Sequence, residues 1–200
     1  MSTLQLIWDA NTIYDLWSWT NGKTHYTARV VRRLKNDVYT VRIGPRGTEP
    51  TDVIVLKLAH GADAVADLER EAALYEQQLK PLQGAVVPQC YGFYMTKVNG
   101  RLLACLLLEN CAGVPGEKVL DINGKVLRAA YALHAAGVLH GDLADGHHFV
   151  NMGRELRIVD FSTAVPHQCV HGPDGRGRHR GCVCPELAVL EDRYGHGRQC

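Results

Sequence analysis

The chain has 200 residues, 46% of them apolar, with 22 basic against 21 acidic side chains and a formal net charge of +1. That content supports one folded domain, or two small lobes sharing a core, and excludes a chain disordered throughout. The near-zero balance offers no broad basic surface for nucleic acid, and no apolar run approaches the length of a membrane span.

The N-terminal residues M-S-T-L-Q-L-I-W-D-A have neither the basic start nor the long apolar centre of a secretory signal. Seven cysteines without such a signal read as reduced thiols in a cytoplasmic protein, with the nucleus as the alternative. Cys90, Cys105 and Cys111 sit in apolar surroundings and read as small core fillers.

Residues 1–24 carry all three tryptophans, Trp8, Trp17 and Trp19, and read as a lead-in segment that packs on the domain. From His25 to Leu58 the pattern is β: T-A-R-V-V-R-R, V-Y-T-V-R-I and D-V-I-V-L-K-L-A are rich in β-branched residues and joined by short polar turns. This predicts an antiparallel meander. Ala64 to Leu79 predicts a helix, with Leu68, Glu71, Leu74, Tyr75 and Leu79 at spacings of three and four, ended by Pro81 and Gly84. Two further strands follow, turned at V-N-G (Val98 to Gly100). A linker holds Gly113, Pro115 and Gly116. A second helix is predicted from Val119 to Ala136, with Gly137 as its stop. The remainder predicts an acidic loop, a short hairpin, a second acidic loop, an irregular Gly-, His- and Arg-rich stretch (Pro166 to Gly181), and a short helix from Pro185 to Tyr194.

Three motifs carry chemistry. V-I-V-L-K (Val53 to Lys57) places a lysine at the end of an apolar strand. L-H-G-D-L (Leu139 to Leu143) and R-I-V-D-F-S (Arg157 to Ser162) each place an acid in a loop after an apolar run. An amine and two carboxylates are what phosphoryl transfer asks of a protein: charge neutralisation on phosphates, a metal ligand, and a group that orients the attacking hydroxyl.

In this order the motifs resemble those of the protein-kinase-like superfamily, from Ala28 to Ala164, and more narrowly those of short atypical fungal kinase-like proteins. The resemblance implies an α+β, two-lobed fold. Its N-lobe would be an antiparallel sheet with one helix, and its C-lobe truncated and mainly helical. The domain reading is a lead-in over 1–24, an N-lobe and hinge over 25–112, and a short C-lobe with a Cys/His-rich tail over 113–200. By the same resemblance Lys57 contacts the ATP phosphates and is held by Glu71, with Glu69 ranked second. Asp142 is the catalytic-loop aspartate, and Asp160 the Mg ligand. Leu108, Glu109 and Cys111 fall at the adenine-binding hinge, and His140 has a structural part in its loop. The implied activity is transfer from ATP to a hydroxyl, a protein hydroxyl first and a small-molecule alcohol second. The alternative is a pseudokinase, a nucleotide-binding or scaffold module without turnover. The implied partners are ATP and the acceptor, with neither nucleic acid nor membrane.

Four departures from that pattern matter. The first β-turn (Leu34 to Asp37) lacks glycine, so a close backbone wrap over phosphates is not expected. His147 stands where the resemblance places a metal-binding asparagine; imidazole favours softer divalent ions, so Mn is expected beside Mg. Gly141 and Ala144 replace an arginine and a lysine, which argues against activation by loop phosphorylation and leaves the γ-phosphate one cation fewer. After Asp160 there is no A-P-E, only a loose echo in C-P-E-L (Cys184 to Leu187).

The tail holds His167, Cys169, His171, His179, Cys182, Cys184, His196 and Cys200. Such thiolates and imidazoles suit zinc, but the spacings match no standard finger. A flexible reduced tail is the leading expectation and zinc the lesser one. Arg176, Arg178 and Arg180 read as a solvated loop.

Overall fold

The computed structural model describes residues 1–18, 23–112, 121–169 and 184–195. Trp19, the Gly113/Pro115/Gly116 linker, Arg176, Arg178, Arg180, His171, His179, Cys182, His196 and Cys200 lie outside the described residues. The chain divides into two units, Met1–Ala72 with Gln89–Asn110, and Ala73–Pro88 with Cys111–Cys200.

The first unit is built on seven strands: β1 (Ser2–Ile7), β2 (Ile13–Ser18), β3 (His25–Lys35), β4 (Val38–Pro45), β5 (Asp52–His60), β6 (Cys90–Val98) and β7 (Arg101–Glu109). They close into a barrel in the order β1-β2-β6-β7-β5-β4-β3. Neighbours are antiparallel except β1 and β3, which run parallel from Thr3↔His25 to Ile7↔Arg29. The β2–β6 seam is made at Trp17↔Met95. Period-two alternation fills the interior, with Leu4, Leu6, Leu16, Val41, Leu56 and Leu107 inaccessible to solvent. Cys105 is also inside, where burial pushes its thiol well above the usual range, so it packs as a protonated, apolar group. Trp8 packs edge-on against Tyr39 at 4.8 Å between ring centroids. The β6–β7 turn has positive φ at both Asn99 (50°) and Gly100 (78°), the backbone that a two-residue hairpin with right-handed twist requires.

This barrel corrects the expected fold. The two-lobed kinase-like arrangement needs an open antiparallel N-lobe sheet; here residues 2–18 form two strands that close the sheet, one through a parallel pairing. The physical reason lies in Leu4, Leu6 and Leu16. Their alternation marks half-buried strands, and unpaired edges on β3 and β6 give those strands a place to pair. The weight given to the tryptophans hid that alternation.

Helix α1 (Ala62–Glu76) follows β5, and the division between the units falls within it. The second unit also holds α2 (Ile122–Ala135) and α3 (Pro185–Tyr194). Its strands are short: β8 (Val138–Leu139) pairs with β11 (Val165–Pro166), and β9 (Phe149–Asn151) with β10 (Leu156–Ile158). Asp121 caps α2 by accepting the Gly124 N–H at 3.0 Å, and Gly137 (φ 83°) turns the chain out of it. Arg157, 4% exposed, donates to the Gly84 and Ala85 carbonyls, and Ile158 N–H donates to Val86 O. The described helices number three, which does not make the mainly helical C-lobe that was expected. No helix among the described residues is long and apolar enough to cross a membrane.

Candidate functional site

In the barrel unit, alternation along β5 sends Ile54, Leu56 and Leu58 inward and leaves Lys57 on the outer face. There its ammonium meets both oxygens of Glu71 on α1, at 2.7 and 3.0 Å. The lysine side chain is 13% exposed and the glutamate 3%, so the pair is largely desolvated. Glu69 is exposed. Leu108 is buried in β7. The Glu109 N–H donates to Gln89 O at 2.8 Å, and its carboxylate accepts the Gln89 N–H at 3.0 Å. Cys111 is half-buried and belongs to the second unit.

The same unit has a cavity of about 440 Å³ lined by Tyr14, His60, Val98, Asn99, Arg101, Leu102 and Leu103. None of the candidate site residues read from the sequence lines it.

The second unit carries its acids on loops. β8 delivers His140, which is fully buried. Its Nε2–H donates to Val159 O at 3.1 Å, and the ring lies 5.0 Å from both Phe161 and His148. Burial, with His148 adding to it, pushes His140 below the usual histidine range and keeps it neutral. Gly141 has φ +84°, and a Cβ there would stand 3.3 Å from Thr163 O. The arginine expected from the resemblance has no comfortable conformation at this position.

Asp142 is exposed and accepts from His148 Nε2 at 3.0 Å. Asp145 accepts the His147 N–H at 2.9 Å, and this hydrogen bond holds its carboxyl below the ordinary value. Asp142, Asp145 and His148 offer donor atoms within 4.8 Å of one another, although exposed acids often gather without an ion. His147 is mostly solvent-exposed, with its Nε2 3.7 Å from Asp145. His148 was not singled out from the sequence; two adjacent histidines give no sign of which one turns inward.

Asp160 has φ 70° and ψ 73°, a left-handed backbone. It precedes a 3₁₀ turn, Phe161–Thr163, whose Phe161 is buried edge-on against Tyr75 at 5.6 Å. The positive φ falls on Asp160 and not on Ser162.

The acid loop is clamped by a residue the sequence reading passed over. Glu186, in the first turn of α3, accepts the N–H groups of His140 (3.1 Å) and Gly141 (2.7 Å), and His134 Nε2–H (2.8 Å). Burial acts to raise its carboxyl, but these three donors outweigh it and hold Glu186 below its ordinary value. Thr163 Oγ1 donates to His140 O at 2.9 Å and braces the other side. The C-P-E-L echo held the only sequence signal for this clamp.

Nitrogen and sulfur donors from His134, His167, Cys169 and Cys184 also gather in the second unit, within 4.8 Å of one another. His134 lies on α2, outside the Cys/His-rich tail.

No protein-family model matches the chain, and no curated protein matches it. With the closed barrel, this overturns the assignment to the protein-kinase-like superfamily.

Proposed function

We propose that the protein transfers a phosphoryl group from ATP to an alcohol, with a protein hydroxyl as the first acceptor class and a small-molecule alcohol as the second. The reading rests on side-chain chemistry alone. The observation that carries it is Asp142, an accessible carboxylate aimed by His148 on a loop that Glu186 clamps through the backbone. An ordinary aspartate, with a pKa near ~4, is a weak base, so its main part is to orient the acceptor O–H. As the acceptor oxygen bonds to the γ-phosphorus, the bond to ADP breaks and the acceptor proton passes to the Asp142 carboxylate.

Asp160 supports the reading because a non-glycine residue held left-handed is a strained position of the kind found at functional sites. Its hard oxygen donors fit Mg or Mn, and an exposed imidazole at His147 fits the softer of the two. A divalent ion held by Asp160 would supply charge neutralisation on phosphate oxygens.

The test is thermal melting of the full chain with Mg-ATP and with Mn-ATP. Ligand at a hundred times its dissociation constant adds about 2.7 kcal/mol, a shift of roughly 5–11 °C for a chain of this size. The Asp142→Ala variant should keep the shift and lose turnover by about a hundredfold or more. Absence of a shift with either metal ends the proposal.

A second reading, a binding module without turnover, is favoured by the barrel cavity of about 440 Å³ and its distinct lining. It predicts a ligand-dependent shift that survives Asp142→Ala, with no turnover in either protein.

A further inference from the structure

We propose that His134 Nδ1, His167 Nε2, Cys169 Sγ and Cys184 Sγ form a four-coordinate structural zinc site, with Glu186 as the outer partner that orients His134. This goes beyond the phosphotransfer reading and does not depend on it.

Geometry comes first. Zn–N bonds of about 2.0–2.1 Å and Zn–S bonds of about 2.3 Å at tetrahedral angles place N and S about 3.6 Å apart. Cys184 Sγ lies 3.5 Å from His134 Nδ1 and 3.7 Å from His167 Nε2. The four donor atoms fall within 4.8 Å of one another.

The protonation pattern also fits. Glu186 can only accept, so the hydrogen of a neutral His134 sits on Nε2, in the 2.8 Å bond to the carboxylate. That leaves the Nδ1 lone pair directed toward Cys184. A carboxylate behind a ligating histidine, fixing its tautomer and ring plane, is the usual outer support of a metal site.

Charge and softness select the ion. Two thiolates and two neutral imidazoles balance a divalent cation, which suits surroundings where His134 and Cys184 are each 3% exposed. Binding releases the two thiol protons to solvent as two Zn–S bonds form. An S₂N₂ set prefers zinc to Mg, and four protein ligands close the shell, which marks a structural site rather than a catalytic one.

Placement gives the site a task. His134 is in the last turn of α2, His167 and Cys169 follow β11, and Cys184 is the residue before α3. The ligands therefore bracket the acid loops and pin the start of α3. There Glu186, two positions on, grips the backbone N–H groups of His140 and Gly141.

The experiment uses the full chain, reduced and stripped of metal, titrated with Co²⁺ as a spectroscopic probe and then with Zn²⁺. One equivalent of Co²⁺ should give tetrahedral d–d bands and thiolate-to-metal charge transfer, both erased by Zn²⁺ and unaffected by Mg²⁺. Zn²⁺ should raise the melting temperature of the stripped protein. Glu186→Gln should weaken metal binding about 10–100-fold, Cys184→Ser by more than that, and Cys90→Ser not at all. The proposal is overturned if wild type gives no saturable tetrahedral cobalt spectrum. It is equally overturned if charge transfer persists in the Cys169→Ser/Cys184→Ser variant, or if zinc leaves the melting temperature unchanged. Circular dichroism of each variant reports its fold; where a variant does not fold, the wild-type spectrum and melt decide. A cobalt result of either sign leaves the ATP melt unaffected, so the two proposals fail separately.

Discussion

Lys57 and Glu71 form a two-pronged ion pair, the ammonium 2.7 and 3.0 Å from the two carboxylate oxygens. So little solvent reaches either side chain that the pairing contributes to holding both charges. Glu71→Ala should therefore destabilise the protein by about 3–5 kcal/mol, because it takes the carboxylate out of a largely desolvated ion pair. Lys57→Met/Glu71→Leu should recover most of that loss, since an apolar pair of similar volume removes both charges. Urea unfolding of wild type, both singles and the double closes the cycle. A double as unstable as the sum of the singles would refute that contribution.

Leu16 on β2 is inaccessible inside the barrel, whereas Ile13 on the same strand is 53% exposed. Leu16→Ala should cost about 2–5 kcal/mol and Ile13→Ala no more than about 0.5 kcal/mol. Equal, small effects would mean that the first two strands contribute nothing to the core.

The left-handed backbone of Asp160 separates two substitutions. Asparagine tolerates that conformation, so Asp160→Asn should stay within about 0.5 kcal/mol of wild type; β-branched Asp160→Val should lose about 1–2 kcal/mol more. Both should abolish the metal-dependent ATP melting shift. An Asp160→Asn protein that keeps the full shift would remove Asp160 from the proposed metal site.

His140 gives a pH dependence. Its folded value lies below the ordinary 6.5, chiefly through burial, with His148, Glu186 and Asp160 as its charged or titratable neighbours. Its Nδ1 is buried without a hydrogen-bond partner among the described residues. Because the unfolded chain takes up this proton first, the His140 contribution is complete above about 6.5 and is lost as pH falls toward the folded value. Unfolding at pH 7.5 and at pH 5.5 should show a steeper loss for wild type than for His140→Gln. Parallel slopes would show that His140 titrates equally in both states.

Much of the site was readable because its signals are local. Glu71 shares the Leu68/Tyr75 helical face, and that spacing picked it over Glu69. Asp142 and Asp160 each follow a short apolar strand, and Asn99-Gly100 announces its turn. The loop partners were less legible. Whether His147 or His148 meets Asp142 depends on the turn around Asp145, and beyond the loose C-P-E-L echo the sequence does not mark Glu186 as the acceptor for a loop 45 residues away. The motif order suggested a family because it matched point by point, but the order of motifs does not determine how a sheet closes.

Periodicity, turn chemistry and charge balance, properties of neighbouring residues, settled by themselves where the middle strands and helices run and which acids stand in loops. Tertiary structure alone decided that β1 lies parallel to β3 and β2 meets β6, making a closed barrel. It alone decided that an α2 histidine joins His167, Cys169 and Cys184. Such pairings close long loops, and their free energy comes from burial and ligand geometry that exist only once distant segments have met.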